Sequence, residues 1–336
     1  MFIQITTKIS ELISRNIHLV KSFQKIFLTT AVILLSGCQT FLDVSDNLLR
    51  NFSKPEQARF YVNDPVKDSV SLSVLWIGHA SALIQIYDKV IMIDPLLTNN
   101  VAAVLRRHYI PAINLEALKK CDIILISHSH MDHLSPGSLD ILEEKFPSAN
   151  LVFPEGAEDY IPGYSFKLSK LKMADLSNKY IGDSVSIDGV KIFSIKSVHW
   201  GGRYGIDGKL WTDKGHCAYI IEYKDMCIYY SGDSSYDESL FKFIGRNFKI
   251  DLALVNIIFC DSCTELNQSK SHLYPMGAVQ ILKDTGAEYM IPLHFGTFTN
   301  VNAQIKVLKK MMHKDDEMKG KIKILNLGEQ IILKTN

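Results

Sequence analysis

Three histidines and a carboxylate fall within six residues in the stretch Ser127-His128-Ser129-His130-Met131-Asp132-His133. Neutral imidazole and carboxylate are the donors that suit zinc, and they also serve iron and manganese. Alternate side chains of an extended or turning backbone point the same way, so His128 and His130 can grip one ion. Asp132 and His133, one turn onward, can face a second ion beside it. More donors follow at intervals: His199 in Ser197-Val198-His199-Trp200, Asp233 in Ser231-Gly232-Asp233-Ser234, and His294 in Pro292-Leu293-His294-Phe295-Gly296-Thr297. Singly, each would pass for a surface or core residue. What they share is a place just past an apolar run of strand type, where open active sites gather.

The elements that must position these donors are legible as short β-branched runs alternating with helical stretches. Ser73–Ile77, Ala82–Ile86 and Val90–Ile93 read as consecutive strands, with Asp88-Lys89 as a turn. Leu115 to Lys120 reads as a short helical stretch, and Asp122–Ile126 as a buried strand. Ser135-Pro136 predicts a helix start, Ser at the N-cap and Pro in the first turn, running through Phe146. A second set follows: strands Ser184–Ile187, Lys191–Ser197, Ala218–Tyr223 and Met226–Tyr230, with turns at Asp188-Gly189 and Lys224-Asp225. Leu252–Val255 and Tyr289–Leu293 are two more strands, separated by a helix from Pro275 to Asp284. The order predicts an α/β fold, one domain of two packed sheets flanked by helices.

Composition agrees with a globular chain of sizeable core: 336 residues, 47% apolar and 22% charged. It excludes a disordered, collagenous or disulfide-dense chain. With 37 Lys and Arg against 36 Asp and Glu, there is no global electrostatic reason to expect nucleic acid as a partner.

His128-x-His130-x-Asp132-His133, with His199, Asp233 and His294 in that order, resembles the metallo-β-lactamase fold from roughly Val70 to Gly328. The resemblance implies an αβ/βα sandwich and two divalent metal ions, most simply zinc, with iron or manganese as alternatives. It places His128, His130 and His199 on one ion, Asp132, His133 and His294 on the other, and Asp233 between them. Within that superfamily Leu75-Trp76-Ile77-Gly78-His79-Ala80-Ser81, Asp94-Pro95, His199-Trp200, His272-Leu273-Tyr274-Pro275 and His294-Phe295-Gly296-Thr297 are similar to N-acylphosphatidylethanolamine-hydrolysing phospholipase D and its bacterial relatives. The resemblance puts His272 on the approach to the site, where it would hydrogen-bond the phosphate or leaving group; a histidine capping the Pro275 helix is the structural alternative. His79 and Asp94, at early strand ends, read as residues that orient ligands. His18, His108, His216 and His313 read as surface or packing residues.

Two departures bear on the substrate. Tyr274 stands where relatives have a small polar residue, which forfeits an N-cap worth roughly 1 kcal/mol. Asn256-Ile257-Ile258-Phe259-Cys260-Asp261 differs from the family's Gly-Ala-Tyr segment, expected to line the pocket. Its apolar residues would suit acyl chains, or equally extend a core strand. Two neighbouring cations lower the pKa of a shared water towards about 7, from about 15.7 in bulk. Asp132 would orient that hydroxide as well as ligate, and catalysis would rest on Asp132 and His272. The expected activity is therefore a phospholipase D-type phosphodiesterase acting on N-acylphosphatidylethanolamine-like lipids. The alternatives are a lactonase or small-phosphodiester hydrolase, and a non-catalytic metal-binding envelope protein; the last is disfavoured because structural zinc sites are closed and mononuclear.

The N-terminal residues 1–38 read differently from the rest. Lys8, Arg15, Lys21 and Lys25 precede the apolar run Ile26–Leu35, which ends in Ser36-Gly37-Cys38. This is the pattern of a secretory signal, too short for the roughly 20 residues of a membrane span. Leu35-Ser36-Gly37-Cys38 resembles a bacterial lipobox, implying a lipid anchor at Cys38 and a membrane lipoprotein of the cell envelope, facing the periplasm; an amphipathic helix with a buried Cys is the alternative. Residues 39–69 then form a polar tether or surface arm, and 70–336 the catalytic domain. Cys121, Cys217, Cys227, Cys260 and Cys263 remain, an odd number that leaves a free thiol. Cys260-Asp261-Ser262-Cys263 has no companion pair and reads as packing cysteines or one local disulfide.

Overall fold

Runs of β-branched residues that are apolar at every position form strands buried on both faces. The computed structural model describes residues 54–101, 105–161, 163–173, 180–203, 214–258, 271–298 and 301–335. Val70–Gly78 (β1), Ser81–Ile86 (β2) and Lys89–Ile93 (β3) make an antiparallel meander. After a two-residue pair, Asn100–Val101 (β4) and Leu105–Arg106 (β5), the chain adds Ile123–Leu125 (β6), the helix Pro136–Lys145 (α1), Asn150–Pro154 (β7) and Lys167–Leu171 (β8). Strands β3, β6, β7 and β8 run parallel.

The second half repeats that design. Ile181–Ile187 (β9), Val190–Ile195 (β10), Ala218–Tyr223 (β11) and Met226–Tyr230 (β12) are antiparallel. The helix Glu238–Asn247 (α2) leads to Leu252–Asn256 (β13), and the helix Pro275–Thr285 (α3) leads to Tyr289–Leu293 (β14), both strands parallel to β12. Helices Val301–Met312 (α4) and Asp316–Lys321 (α5) precede Gln330–Thr335 (β15). That last strand crosses to the first sheet and pairs with β1. The sheets have the orders β15-β1-β2-β3-β6-β7-β8 and β14-β13-β12-β11-β10-β9.

Strand alternation divides the core. Leu72, Val74 and Trp76 of β1 join residues of β10 to β14 between the sheets. Leu75 and Ile77 face the other way, into a cluster closed by Leu139 and Leu142 of α1. Each such side chain contributes about 1.5–3 kcal/mol on burial. On the second sheet Tyr230 reaches inward to Asp94, while Tyr229 packs outward on Phe241 of α2. The result is an αβ/βα sandwich. Among the described residues, no helix is long and apolar enough to cross a membrane.

Several local expectations change. Leu115–Ala117 is a turn closed by Leu118 N–H on Asn114 O at 3.2 Å, because Cys121 and Asp122 already lead into β6. The β2–β3 turn is Tyr87-Asp88, since Lys89 pairs with Ile86. Ser135 occupies the N-cap of α1, but its hydroxyl accepts from Ser138 Oγ at 2.8 Å instead of capping the helix. Tyr274 makes no side-chain cap on α3, as its residue type implies. Residues 54–67 lie along the surface: Glu56 bridges Tyr109, and Pro65 O accepts from Gln330 Nε2 at 2.5 Å. Cys38, Cys260 and Cys263 lie outside the described residues.

Candidate metal centre

Both sheets deliver their donors to one end of the sandwich. His79 follows β1, Asp94 follows β3, His128 to His133 follow β6, His199 follows β10, Asp233 follows β12 and His294 follows β14. His79, Asp94 and His294 adopt positive φ (54°, 36° and 71°), a conformation that side chains other than glycine take up only when the surroundings hold them. His79 shows what holds it. Its N–H donates to Thr297 Oγ1 at 2.7 Å, and its carbonyl accepts from Trp76 Nε1 and His294 N, both at 2.9 Å.

Two donor sets converge. His128, His130 and His199 form one, with His130 Nδ1 standing 2.9 Å from His128 Nε2 and 3.2 Å from His199 Nε2. Asp132, His133 and His294 form the other, joined by His79; both His133 Nε2 (3.7 Å) and His294 Nε2 (3.6 Å) face Asp132 Oδ2. Between the sets lies Asp233, whose Oδ2 is 3.5 Å from His133 Nε2, 3.5 Å from His294 Nε2 and 4.0 Å from His128 Nε2. His272 Nε2 is 3.2 Å from the same oxygen. The structure thus brings together every residue singled out for metal binding or catalysis.

The surrounding hydrogen bonds orient the donors. Asp94, fully buried, accepts from Ser127 N–H at 2.6 Å, Ser127 Oγ at 2.5 Å, Tyr230 Oη at 2.5 Å and His133 Nδ1 at 2.6 Å. Because the Ser127 hydroxyl gives its proton to Asp94, its oxygen accepts from His128 Nδ1 at 2.9 Å, leaving the His128 Nε2 lone pair for the site. His199 Nδ1 likewise donates to Ser271 O at 2.8 Å. Asn256 Nδ2 donates to Asp233 Oδ1 at 2.9 Å, and His79 Nε2 to Asp132 Oδ2 at 2.8 Å.

Electrostatics keep His79, His128, His130 and His199 neutral and Asp132 and Asp233 charged, but hold a proton on His133. Burial pushes His79 down to about 3 and His130 down to about 4. Burial, reinforced by neighbouring imidazoles, holds His128 well below the ordinary histidine range; it also holds His199 there, against the pull of Asp233. Burial alone would raise Asp132 and Asp233, but His133 beside the first, and His294 with His133 beside the second, hold both far below the usual carboxylate range. Burial would lower His133, yet Asp233, Asp132 and Asp94 around it hold it well above the ordinary value.

Metal ions fit this arrangement. His133 Nε2 and both ring nitrogens of His294 are buried without a hydrogen-bond partner, which is costly for polar atoms that no ion satisfies. The spacings of 2.9 and 3.2 Å in the first set are close to the roughly 3.3 Å between nitrogens around a tetrahedral zinc with bonds near 2.0–2.1 Å.

Some supporting residues were not apparent from sequence. His216, read as a packing residue, bridges His128 through the backbone and donates or accepts at Ser197 Oγ, 2.9 Å away. Tyr230 looked like an ordinary strand residue, and Asn256 stood only as the start of the segment expected to line the pocket. Tyr230 meets Asp94 across the two sheets, while Asn256 of β13 meets Asp233 past the neighbouring β12. Ile257 is fully buried and bridges Leu273, so it extends the core. His272 does not cap α3, whose N-cap is Tyr274; its Nδ1 pairs with Ser271 Oγ at 2.9 Å.

Comparison with known proteins agrees with this geometry. Residues 89–295 match the beta-lactamase superfamily domain. A metal-dependent hydrolase of Thermodesulfovibrio yellowstonii is 28% identical over 272 residues, covering 80% of this chain and 94% of its own. The mitochondrial N-acyl-phosphatidylethanolamine-hydrolyzing phospholipase D of Saccharomyces cerevisiae is 28% identical over 182 residues, 53% of this chain and 37% of its own. In fold, the chain is similar to an isothiocyanate hydrolase from Delia radicum gut bacteria, with TM-score 0.56, 17% identity and coverage of 78% and 100%. Sequence match, sandwich and converging donors lead to one conclusion: this chain belongs to the beta-lactamase superfamily and is a metal-dependent hydrolase of metallo-β-lactamase fold.

Proposed function

We propose that this hydrolase holds two zinc ions and is a phospholipase D-type phosphodiesterase for N-acylphosphatidylethanolamine-like lipids. The observation that carries the reading is the place of Asp233: one carboxylate oxygen reaches donors of both sets and also faces His272, a histidine outside them. The yeast phospholipase D, matched over half of this chain, supports the choice of substrate.

Divalent ions in these donor sets would supply Lewis-acid polarisation of the scissile group and a lowered water pKa. The chain's own residues do the rest. His79 fixes the Asp132 carboxylate, which orients the attacking water, and Asn256 fixes Asp233. His272, half-buried and held at Nδ1 by Ser271 Oγ, presents Nε2 to the site, where it hydrogen-bonds the phosphate or the departing alkoxide. Trp200, stacked on His199 at 4.6 Å between ring centroids, gives one apolar wall beside the donors. A lipid anchor at Cys38, outside the described residues, would hold the enzyme at the envelope membrane surface where such a substrate lies.

The test is metal content by elemental analysis of the purified chain, with release of N-acylethanolamine from N-acylphosphatidylethanolamine in detergent micelles. Two ions per chain and chelator-sensitive release are expected. Two ions without release would discard the lipid and redirect the search to lactones and small phosphodiesters. A chain that takes up no metal would overturn the site.

A further inference from the structure

We infer that Arg203 is a positioning residue: its guanidinium clamps the loop carrying His128, His130, Asp132 and His133 to the segment that supplies His199. The inference rests on the metal-centre reading above. The loop is partly self-contained, because the N–H groups of His133 and Leu134 both donate to His130 O, at 3.1 and 2.9 Å. Its two ends need outside partners. Ser129 and Leu134 are fully buried, and buried carbonyls are paired in native proteins. Arg203 Nη1 donates to Ser129 O at 2.9 Å and to Leu134 O at 2.8 Å, so one nitrogen bridges the entry and the exit of the ligand run. The guanidinium carbon rests over the Tyr160 ring, 5.6 Å from its centroid.

The other end of the clamp is equally fixed. Arg203 closes the segment His199-Trp200-Gly201-Gly202-Arg203. His199 is held through Nδ1 by Ser271 O. Gly201 passes so close to Gly215 that a Cβ on it would stand 1.7 Å from Lys214 O and 2.7 Å from Gly215 Cα. Gly215 in turn accepts from Ser129 N–H at 3.0 Å. Three backbone segments therefore meet at one junction, and Arg203 ties the segment of His199 to the loop of His128 and His130. A side chain without a donor at this point leaves two buried carbonyls without this partner and lets the His199 segment move against the loop.

The test uses the full chain stripped of metal, as wild type, Arg203→Met, Arg203→Lys and Arg203→Ala. Hydrogen exchange over residues 128–134 is read without metal, and zinc affinity by competition with a chromophoric chelator. We expect faster exchange in Arg203→Met and a loss of zinc affinity on the order of 10–100-fold, as for other residues that orient ligands. Arg203→Lys should fall between Met and wild type, and added methylguanidinium should restore part of the affinity of Arg203→Ala. Wild-type exchange and wild-type zinc affinity in Arg203→Met would overturn the clamp. If Arg203→Met does not fold, wild-type affinity in Arg203→Lys together with no methylguanidinium rescue would overturn it instead. A wild type that takes up no zinc, while exchange still rises in Arg203→Met, would sink the metal reading and leave the clamp standing.

Discussion

The two ends of the sandwich are built on opposite terms. At one end lie buried histidines and aspartates, with ring nitrogens of His133 and His294 that are buried without partners. At the other end the turns Tyr87-Asp88 and Lys224-Asp225 exchange exposed contacts between the sheets. Tyr87 Oη donates to Asp225, and Tyr223 Oη donates to Asp88 at 2.7 Å, while Lys224 lies 4.2 Å over the Tyr87 ring. There these groups pair with one another while exposed to water that screens the charges, so each contact is worth little. The contrast separates two jobs. The exposed end joins the sheets with replaceable pairs; the buried end concentrates unsatisfied donors that an ion can satisfy.

Asp233→Ala should give the largest effect, because one oxygen serves both donor sets. Metal content should fall by at least one ion per chain, and hydrolysis by more than the roughly 100-fold typical of losing an orienting residue. Elemental analysis and a chelator-controlled assay check it, and wild-type values would remove Asp233 from its central place. Asp94→Ala comes next. It leaves Ser127, His133 and Tyr230 without their acceptor at a buried site, at a cost of about 1–3 kcal/mol for each buried group left unpaired. A lowered unfolding midpoint, with zinc affinity down on the order of 10–100-fold, is the expected reading.

Zinc affinity should also depend on pH, with a sign fixed by His133. Its aspartate neighbours raise its pKa, so the metal-free protein holds a proton there at neutral pH. Binding must displace that proton. Affinity should therefore rise with pH, by up to about tenfold per unit for one proton, and level off above the raised pKa. Affinity that falls as pH rises would contradict the charge distribution described for the centre. Tyr223→Phe at the opposite end should do least: a melting temperature within about 1–2 °C of wild type and unchanged metal content. A large loss there would erase the contrast between the ends.

The sequence carried these features unevenly. Strands such as β3, β11 and β14 were legible because their residues are apolar on both faces, a local property. β8 shows a mostly exposed pattern, and β15 gains its place only by pairing with β1 from the far end of the chain, so neither is visible locally; of the mostly exposed β9, only Ser184–Ile187 was legible. Helix α2 carries its own start signal, since Asp237 accepts from Leu240 N–H at 3.1 Å, and this could have been read from Asp at its N-cap. The metal donors were legible by type and spacing. Tyr230, Asn256 and Arg203 were not, because their roles exist only once distant strands and loops are brought together: Tyr230 and Arg203 act across the two sheets, Asn256 across the parallel pair β12–β13.

The central claim is that two adjacent donor sets share Asp233. Anomalous scattering from crystals grown with zinc tests it most directly. The account predicts two peaks, one among His128, His130 and His199, the other among Asp132, His133 and His294, with Asp233 between them. A single peak, or peaks away from these residues, would contradict it.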